Sequence, residues 1–410
     1  MSSVDPYTTR NGEKRWRVTY RTPEGKQTTK RGFSTKRDAQ AFADTTAVAK
    51  LRGEYIDPRA GQVTVGQLAP EWLARQTHLK PSSQRVADVA WRVHVEPRWG
   101  RVKVADIRHS AVQQWIADMG REERGTDGEV VKRGAGPVTV IRAFGILRSV
   151  LDEAVKDRRL IANPCAGVKL PRKGKRERGY LTDDQVWQLA REAGAGRAGS
   201  DKGVVVLVLA YCGLRWGELA GLHVADVDVL RRRITVRRNA VNVGGRVVVG
   251  TPKTHEQRVV PFPRFLVEPL AEVLTGKARE AIVFPAARGG YALSPGASTW
   301  FSSAVQRCQE QADEARAEES AEGGEPSTPE FPRVTPHDLR HTAASLAISA
   351  GANVKVVQSM LGHASAAMTL DTYADLFADD AEAVADAHDE RVSAADVVNL
   401  LSPRPLRAVR

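Results

Sequence analysis

The sequence has few cysteines and no long apolar run. Its three cysteines, Cys165, Cys212 and Cys308, lie far apart in a chain of 410 residues. Their number and spacing argue against a disulfide framework and a CxxC metal site, so we expect buried thiols that act as small apolar side chains. No stretch approaches the roughly 18 to 20 apolar residues of a membrane-spanning helix, and the first residues lack the apolar core of a signal peptide. We expect a cytoplasmic protein with no membrane partner.

Positive charge is what the chain has in excess. Lys and Arg number 61 against 49 Asp and Glu, which gives a formal net charge of +12. Clustered cations release counterions when they meet a polyanion, so the charge favours nucleic acid as a partner over a membrane surface. Because domains usually contain about 100 to 200 residues, the length predicts two or three domains.

The first segment, to about residue 60, has the pattern of a small sheet followed by a helix. In KRWRVTYR, apolar side chains alternate with Arg15, Arg17 and Arg21, which predicts a strand with one apolar and one basic face. QTTKRGF is predicted as a second strand, and Ser34 as the N-cap of a helix that ends at Gly53. The basic face is either a solvated surface or a nucleic-acid contact, and the pattern alone does not separate the two.

A helical segment and a basic linker come next. Residues 62–171 are predicted to be helical, and the helix after Pro137 has an apolar stripe of Val140, Phe144, Leu147, Leu151 and Val155. The stretch PRKGKRERG then brings five basic residues within nine positions. Its composition fits a solvated linker and a linker along a phosphate backbone about equally well.

The third segment, from about Tyr180, is predicted to be mostly helical with one β region. RRRITVRR, RVVVG and RVVPFP are predicted as strands of a short antiparallel ribbon, with Lys253 on a turn between the last two. The acidic stretch of residues 309–330 predicts a charged helix that frays into a mobile loop.

One predicted helix, TPHDLRHTAASLAISAG at residues 335–351, contains a polar triplet. Thr335 suits the N-cap and Pro336 the first helical position, and His337, Arg340 and His341 then share one face. A zinc site like HExxH is disfavoured because the glutamate is absent and an arginine between the histidines would repel the cation. A solvated helix start and an anion site remain.

Four other residues, Arg215, Lys253, His363 and Tyr373, have both a structural and a chemical interpretation. Arg215 and Glu218, one turn apart among leucines, suit a structural ion pair as well as a positioned arginine. Lys253 in isolation is a solvated turn lysine. His363, after a helix that Gly362 ends, and Tyr373 are in isolation packing residues.

Together the phrases GLRWGEL, TPHDLRHTAAS, MLGH and DTY resemble the active site of the tyrosine recombinases, the phage integrase family. The resemblance covers roughly residues 178–377, although the acidic stretch is longer than we expect from the family. It implies a DNA strand transferase that needs no metal, no ATP and no cofactor. The catalytic residues that it implies are Arg215, Lys253, His337, Arg340, His363 and Tyr373, and His341 is not among them.

The resemblance also implies a multidomain fold. We expect a small α+β arm-type DNA-binding domain at residues 1–60, an all-α core-binding domain of SAM-like helices at 62–171 and a basic linker at 172–179. A mainly α catalytic domain with a short antiparallel β-ribbon and a C-terminal tail would fill residues 180–401. The candidate DNA-binding residues are Arg15, Arg17, Arg21, Arg172, Lys173, Lys175 and Arg176.

The implied reaction assigns a role to each catalytic residue. Arg215 and Arg340 would clamp the scissile phosphate, and His337 and His363 would donate hydrogen bonds or manage protons. Tyr373 would be the nucleophile that forms a 3′-phosphotyrosyl link, and Lys253 the acid that protonates the leaving 5′ oxygen.

The implied biology is integration and excision of a prophage or mobile element at the bacterial nucleoid. The partners would be double-stranded DNA at core and arm attachment sites, a directionality factor and a host DNA-bending protein. A homotetramer would form on DNA if the tail docks on a neighbouring protomer, whereas the tail could also pack on its own domain. A topoisomerase of type IB chemistry and a non-catalytic DNA-binding regulator are the alternatives.

Overall fold

The computed structural model describes residues 2–23, 25–51, 55, 57, 59–124, 127, 129–174, 179–195, 201–251, 257–377, 385–386 and 388–390. The chain divides into two compact units, Met1–Lys175 and Arg176–Arg410. Both contain helices and small antiparallel sheets, each around buried apolar clusters of its own. This agrees with the predicted mixture of elements, while the four-part domain layout stays a prediction.

The first unit begins with an antiparallel sheet and a helix. Strands β1 (Ser3–Thr8), β2 (Lys14–Arg21) and β3 (Gln27–Phe33) pair in that order, and α1 (Lys36–Leu51) packs on the sheet. Val18 and Tyr20 of β2 are buried, so the predicted alternation is confirmed. The predicted cap is wrong by one residue, because Thr35 rather than Ser34 accepts the hydrogen bond from Asp38 N. Gly53 lies outside the described residues.

Helices make up most of the rest of this unit. They are α2 (Val65–Ala74), α3 (Pro81–Ala90), a π-helical turn (Trp91–Val95), α4 (Glu96–Trp99), α5 (His109–Gly120) and α6 (Pro137–Lys156). The predicted all-α segment is wrong at one point, because two very short strands, β4 (Glu123–Arg124) and β5 (Val130–Lys132), pair within it. The 3₁₀ turns at Ala60–Gln62 and Val104–Asp106 complete the unit. In α6, Val140, Phe144, Leu147 and Leu151 are buried and Val155 is half-buried, which confirms the predicted apolar stripe.

The second unit is built around a nearly fully buried helix. Its helices are α7 (Asp183–Ala195), α8 (Asp201–Cys212), α9 (Trp216–Ala220), α10 (Val267–Leu274), α11 (Trp300–Ala321), α12 (Asp338–Ser349), α13 (Val354–Leu361) and α14 (Ala366–Tyr373). Three 3₁₀ turns lie at Val224–Asp226, Arg264–Leu266 and Ala374–Leu376. Helices α7 and α12 both pack against α8, whose residues 205–210 are all buried. No described helix is long and apolar enough to cross a membrane.

The strands of the second unit form two small sheets, not the single ribbon that the sequence predicts. They are β6 (Val227–Asp228), β7 (Arg233–Val236), β8 (Asn239–Val243), β9 (Arg246–Gly250) and β10 (Arg258–Pro261). Strand β7 pairs with β6 and β10, whereas β9 pairs with β8. The sequence NAVNV was missed as a strand, and the Gly244–Gly245 turn, with both φ angles positive, folds it back onto β9. Lys253 lies outside the described residues.

One local prediction in this unit needs correction. Helix α12 begins at Asp338, two residues after the predicted start at Pro336. The Asp338 carboxylate accepts hydrogen bonds from the backbone N (2.8 Å) and the hydroxyl (2.7 Å) of Thr335, which closes the turn that precedes the helix. The acidic stretch is helical to Ala321, as predicted. In the loop after it, Thr328 donates hydrogen bonds from its backbone N and Oγ1 to the Glu319 carboxylate, and the predicted mobility of this loop stays a prediction.

The three cysteines are buried in the two units, as predicted. Burial raises the pKa of each thiol to about 12, so all three are protonated at neutral pH. They fill apolar space in the buried clusters of the two units.

Candidate active site

A left-handed turn after α8 places Arg215 in the candidate active site. Gly213 has a φ of +63°, a conformation that is strained for other residues. A Cβ atom there would also lie 2.7 Å from Leu361 Cδ2 of α13. The chain then runs extended through Arg215, which precedes α9. The close approach of the two helix ends therefore depends on glycine at this position.

Glu218 is a buried carboxylate between two arginines. Its side chain has no exposed surface and accepts hydrogen bonds from Arg215 Nη1 (2.8 Å) and the Arg215 backbone N (2.9 Å). Arg258 of β10 donates to it in a bidentate manner from Nη1 (3.0 Å) and Nη2 (2.7 Å). Burial by itself raises the pKa of Glu218, but the hydrogen bonds and charges of Arg258 and Arg215 outweigh burial and lower the pKa to about 2. The carboxylate is ionised at neutral pH and fixes both guanidinium groups.

Arg340 is held by the carboxyl ends of two helices. Only 3% of its surface is exposed, and it donates from Nη1 to the carbonyl of Gly213 and from Nη2 to the carbonyl of Leu361. Carbonyls at helix C-termini lack helical partners and have partial negative charge, which suits a buried cation. Burial, followed by repulsion from Arg215, lowers the pKa of Arg340 to about 9. At neutral pH the group is still a cation.

His363 and Tyr373 come from the two ends of the segment around α14. His363 follows Gly362, whose left-handed conformation ends α13, and its Nδ1 lies 2.9 Å from the hydroxyl oxygen of buried Thr369. The His363 ring is stacked on that of Tyr373, with centroids 6.4 Å apart and planes 8° apart. Burial, and then the charges of Arg340 and Arg215, lower the pKa of His363 to about 4. This histidine is therefore neutral at neutral pH.

The Tyr373 hydroxyl is hydrogen-bonded to a histidine that the sequence resemblance left out. Tyr373 is 1% exposed, and its Oη lies 2.8 Å from Nδ1 of His341. The His341 ring also contacts the ring of His337 edge-on, with centroids 5.2 Å apart. His341 lies in the first turn of α12, which also supplies Arg340, and His337 immediately precedes that helix. One helix therefore links the predicted nucleophile to the predicted phosphate clamp.

Positive charge exceeds negative charge in this cluster. Three guanidinium groups, those of Arg215, Arg258 and Arg340, are accompanied by one carboxylate, that of Glu218. Among the residues that the structure describes, no His, Cys, Asp and Glu side chains form a group of three that could hold a metal ion. The arrangement can bind an anion beside a tyrosine hydroxyl.

Sequence reasoning missed two residues of the cluster. Arg258 had no signal, because a strand arginine 40 residues from its partner carboxylate is indistinguishable from a surface arginine. His341 had a signal, since it shares a helix face with His337, but its partner comes from a helix 32 residues away.

The predicted DNA-binding residues are only partly described. Arg15, Arg17 and Arg21 lie on β2, where Arg15 pairs with Glu13 at 2.7 Å and the Arg17 Nε is buried without a hydrogen-bond partner. Arg172 and Lys173 are exposed. Lys175 and Arg176 lie outside the described residues. Their role in binding DNA stays a prediction.

The phage integrase family is the family whose model matches this chain, over residues 179–379. That stretch contains every residue of the cluster. The chain belongs to the phage integrase family. It is a site-specific tyrosine recombinase, a DNA strand-transfer enzyme of a family that works without metal or ATP.

Relatives and solved structures extend the likeness over most of the chain. The integrase of Mycobacterium phage D29 is 26% identical over 357 residues, which are 83% of this chain and 84% of the phage protein. The Tn1549 transposon integrase has a similar fold, with a TM-score of 0.60 and 20% identity over 75% of this chain and 94% of that one. The lambda integrase tetramer gives a TM-score of 0.51 and 15% identity over 88% and 95% of the two chains.

The first prediction concerns the buried carboxylate. Glu218→Ala would leave the guanidinium groups of Arg215 and Arg258 uncompensated, so we expect the free energy of unfolding to fall by about 3–5 kcal/mol. Urea denaturation measures this. The control is Glu280→Ala, whose side chain is 75% exposed, and we expect its effect to stay within about 0.5 kcal/mol. Equal effects of the two variants would contradict the structural importance of Glu218.

The second prediction concerns pH. His363 takes up a proton near pH 6.5 in the unfolded chain but only near pH 4 in the folded one. The unfolded state therefore binds more protons between these values, and falling pH lowers the stability of the folded state. His363→Gln lacks this titration, so the stability of the wild type relative to that variant should fall from pH 6.5 to about pH 4. A constant difference across this range, measured by urea denaturation, would argue against a neutral buried histidine.

Proposed function

We propose that this recombinase cuts and rejoins double-stranded DNA through a 3′-phosphotyrosyl link on Tyr373, and that it integrates and excises a prophage or mobile element. One observation supports this most: the Tyr373 hydroxyl adjoins a cluster with three arginines and one carboxylate. An incoming phosphate would supply the negative charge that the cluster lacks. A tyrosine beside a phosphate site is arranged for nucleophilic attack on phosphorus.

The arginines would stabilise the transition state. Charge develops on the non-bridging oxygens during in-line attack, and bidentate guanidinium groups suit these oxygens. Arg340 uses Nη1 and Nη2 in its two carbonyl contacts, and Arg215 uses Nη1 with Glu218. A guanidinium has more N–H donors than these contacts use, so both arginines can also bind a phosphate. Glu218 and Arg258 would position Arg215.

The histidines and Lys253 would bind the remaining phosphate oxygens and transfer protons. His363 is neutral at neutral pH, so it can donate a hydrogen bond to a phosphate oxygen without adding a charge. His337, at the start of α12, would be a further donor. Lys253, between β9 and β10, is the proposed acid for the leaving 5′ oxygen.

Known complexes support a DNA partner and an assembly on DNA. Solved structures show the Tn1549 integrase with circular intermediate DNA and the lambda integrase as a tetramer on a Holliday junction. By analogy this chain would bind attachment sites as a homotetramer at the nucleoid. A directionality factor and a host DNA-bending protein would be accessory partners. The arm-type sheet and the linker would contact DNA through Arg15, Arg17, Arg21, Arg172, Lys173, Lys175 and Arg176.

The two alternatives are less favoured. Curated relatives have integrase and XerC recombinase names, whereas a topoisomerase would relax supercoils without joining two duplexes. A non-catalytic regulator would have no need to keep all six catalytic residue types.

The third prediction tests the nucleophile. Nicked duplexes with a randomised core are incubated with the protein, and those that become covalently attached are recovered and sequenced. We expect the wild type to form a covalent complex through Tyr373 and to exchange strands between two recovered duplexes. Tyr373→Phe should form none, because it lacks the attacking oxygen. The proposal is wrong if the wild type captures no DNA, or if Tyr373→Phe is still captured.

The fourth prediction tests the proposed acid. A 5′-bridging sulfur is a better leaving group than oxygen and needs no proton. Lys253→Ala should therefore cleave a normal recovered duplex slowly but cleave the sulfur-substituted duplex at close to the wild-type rate. Arg215→Lys is the matched control, because loss of a phosphate contact should not be rescued by sulfur. If sulfur restores neither variant, the acid is another residue.

A further inference from the structure

We propose that His341 is a catalytic residue that accepts the Tyr373 hydroxyl proton during strand cleavage and returns it during rejoining. The inference rests on the proposed function, since it adds a proton acceptor to the same reaction. The attacking oxygen must lose its proton, and the roles proposed above do not specify which residue accepts it.

The geometry places His341 in direct contact with the reacting atom. Its Nδ1 lies 2.8 Å from Tyr373 Oη, within the range required of a general base. Tyr373 is 1% exposed, so bulk water has little access to that side chain. His341 is also next in sequence to Arg340, which two carbonyls hold in place. The proposed base and one arginine of the proposed clamp therefore lie in the same helix.

The other histidine whose ring lies near Tyr373 has its Nδ1 engaged elsewhere. The His363 ring is nearly parallel to the phenol ring, with planes 8° apart and centroids 6.4 Å apart. Its Nδ1 also contacts the Thr369 hydroxyl at 2.9 Å. His363 thus remains available for a phosphate oxygen or the leaving group.

The charges around the pair favour transfer of the proton away from the phenol. A neutral imidazole with its proton on Nε2 accepts through Nδ1, so this contact uses the phenol proton and not a lone pair of Tyr373 Oη. Arg340 interacts electrostatically with Tyr373 and would stabilise the phenolate. The negative charge of the bound phosphate would offset the new charge on the imidazolium.

With His341 as the acceptor, every bond and proton is accounted for in both cleavage and rejoining. In cleavage, the bond from Tyr373 Oη to phosphorus forms, the bond from phosphorus to the 5′ oxygen breaks, and the phenol proton moves to His341 Nδ1. The leaving 5′ oxygen takes a proton from the proposed acid Lys253. In rejoining, a 5′ hydroxyl attacks phosphorus and gives its proton to Lys253, while His341 protonates the departing phenol oxygen.

The fifth prediction separates a proton acceptor from a mere hydrogen-bond partner. His341→Asn can still accept a hydrogen bond near the Nδ1 position, but its amide is not basic, and His341→Ala lacks both properties. Single-turnover cleavage of the recovered nicked duplex should slow by about 100- to 10,000-fold in both variants, the usual contribution of a general base. Their cleavage rates should rise more steeply with pH than that of the wild type, as hydroxide replaces the histidine.

The matched control is His223→Asn, because His223 also contacts a tyrosine hydroxyl, with Nε2 lying 3.3 Å from Tyr291 Oη. This variant should cleave at the wild-type rate. If His341→Asn also cleaves at the wild-type rate, His341 only positions the phenol or does nothing, and the proposal is overturned. That result would leave the proposed function intact, since the wild type would still form its covalent complex through Tyr373.

A substitution at Tyr373 itself tests the proposal even if His341→Ala folds poorly. Tyr373 is replaced by 3,5-difluorotyrosine, whose phenol ionises more readily, in the wild type and in His341→Asn. A missing base should make cleavage depend more strongly on phenol acidity, so fluorination should accelerate the variant more than the wild type. Equal effects in both backgrounds would overturn the proposal.

Discussion

The buried ion cluster around Glu218 is the interaction on which the rest of the site depends. An arginine that binds a phosphate must be firmly placed and partly shielded from water, yet an unpaired buried charge is costly. One carboxylate between Arg215 and Arg258 meets both conditions, because it accepts four hydrogen bonds from these residues. It also joins α9 to β10, so the fold and the site share one stabilising contact.

The C-terminal ends of two helices stabilise Arg340, the second arginine of the proposed clamp. Arg340 has no carboxylate partner among the described hydrogen bonds and donates instead to the carbonyls of Gly213 and Leu361. Carbonyl dipoles stabilise the cation without neutralising it. The cluster therefore keeps the surplus positive charge that a phosphate would complete. Left-handed glycines at 213 and 362 end α8 and α13 and allow these helix ends to lie close together.

The proposed nucleophile, Tyr373, is connected to this charge through α12. His341 follows Arg340 directly in sequence, so the helix that holds the clamp also holds the hydrogen-bond partner of Tyr373. A displacement of α12 would change the clamp and the attacking group together. Coupling of this kind suits an enzyme that must attack one phosphate and later reverse the same step.

The sequence by itself determined the elements and the chemical types. The alternation in KRWRVTYR, the apolar stripe after Pro137 and the order of arginine, histidine and tyrosine motifs predicted a strand, a helix and the recombinase family. These signals work because residues one or two positions apart in a strand, or three and four apart in a helix, have geometrically fixed relations. Only the tertiary structure decided that Arg258 shares Glu218 and that His341 contacts Tyr373. Those contacts join separate elements, and local periodicity contains no information on how such elements meet.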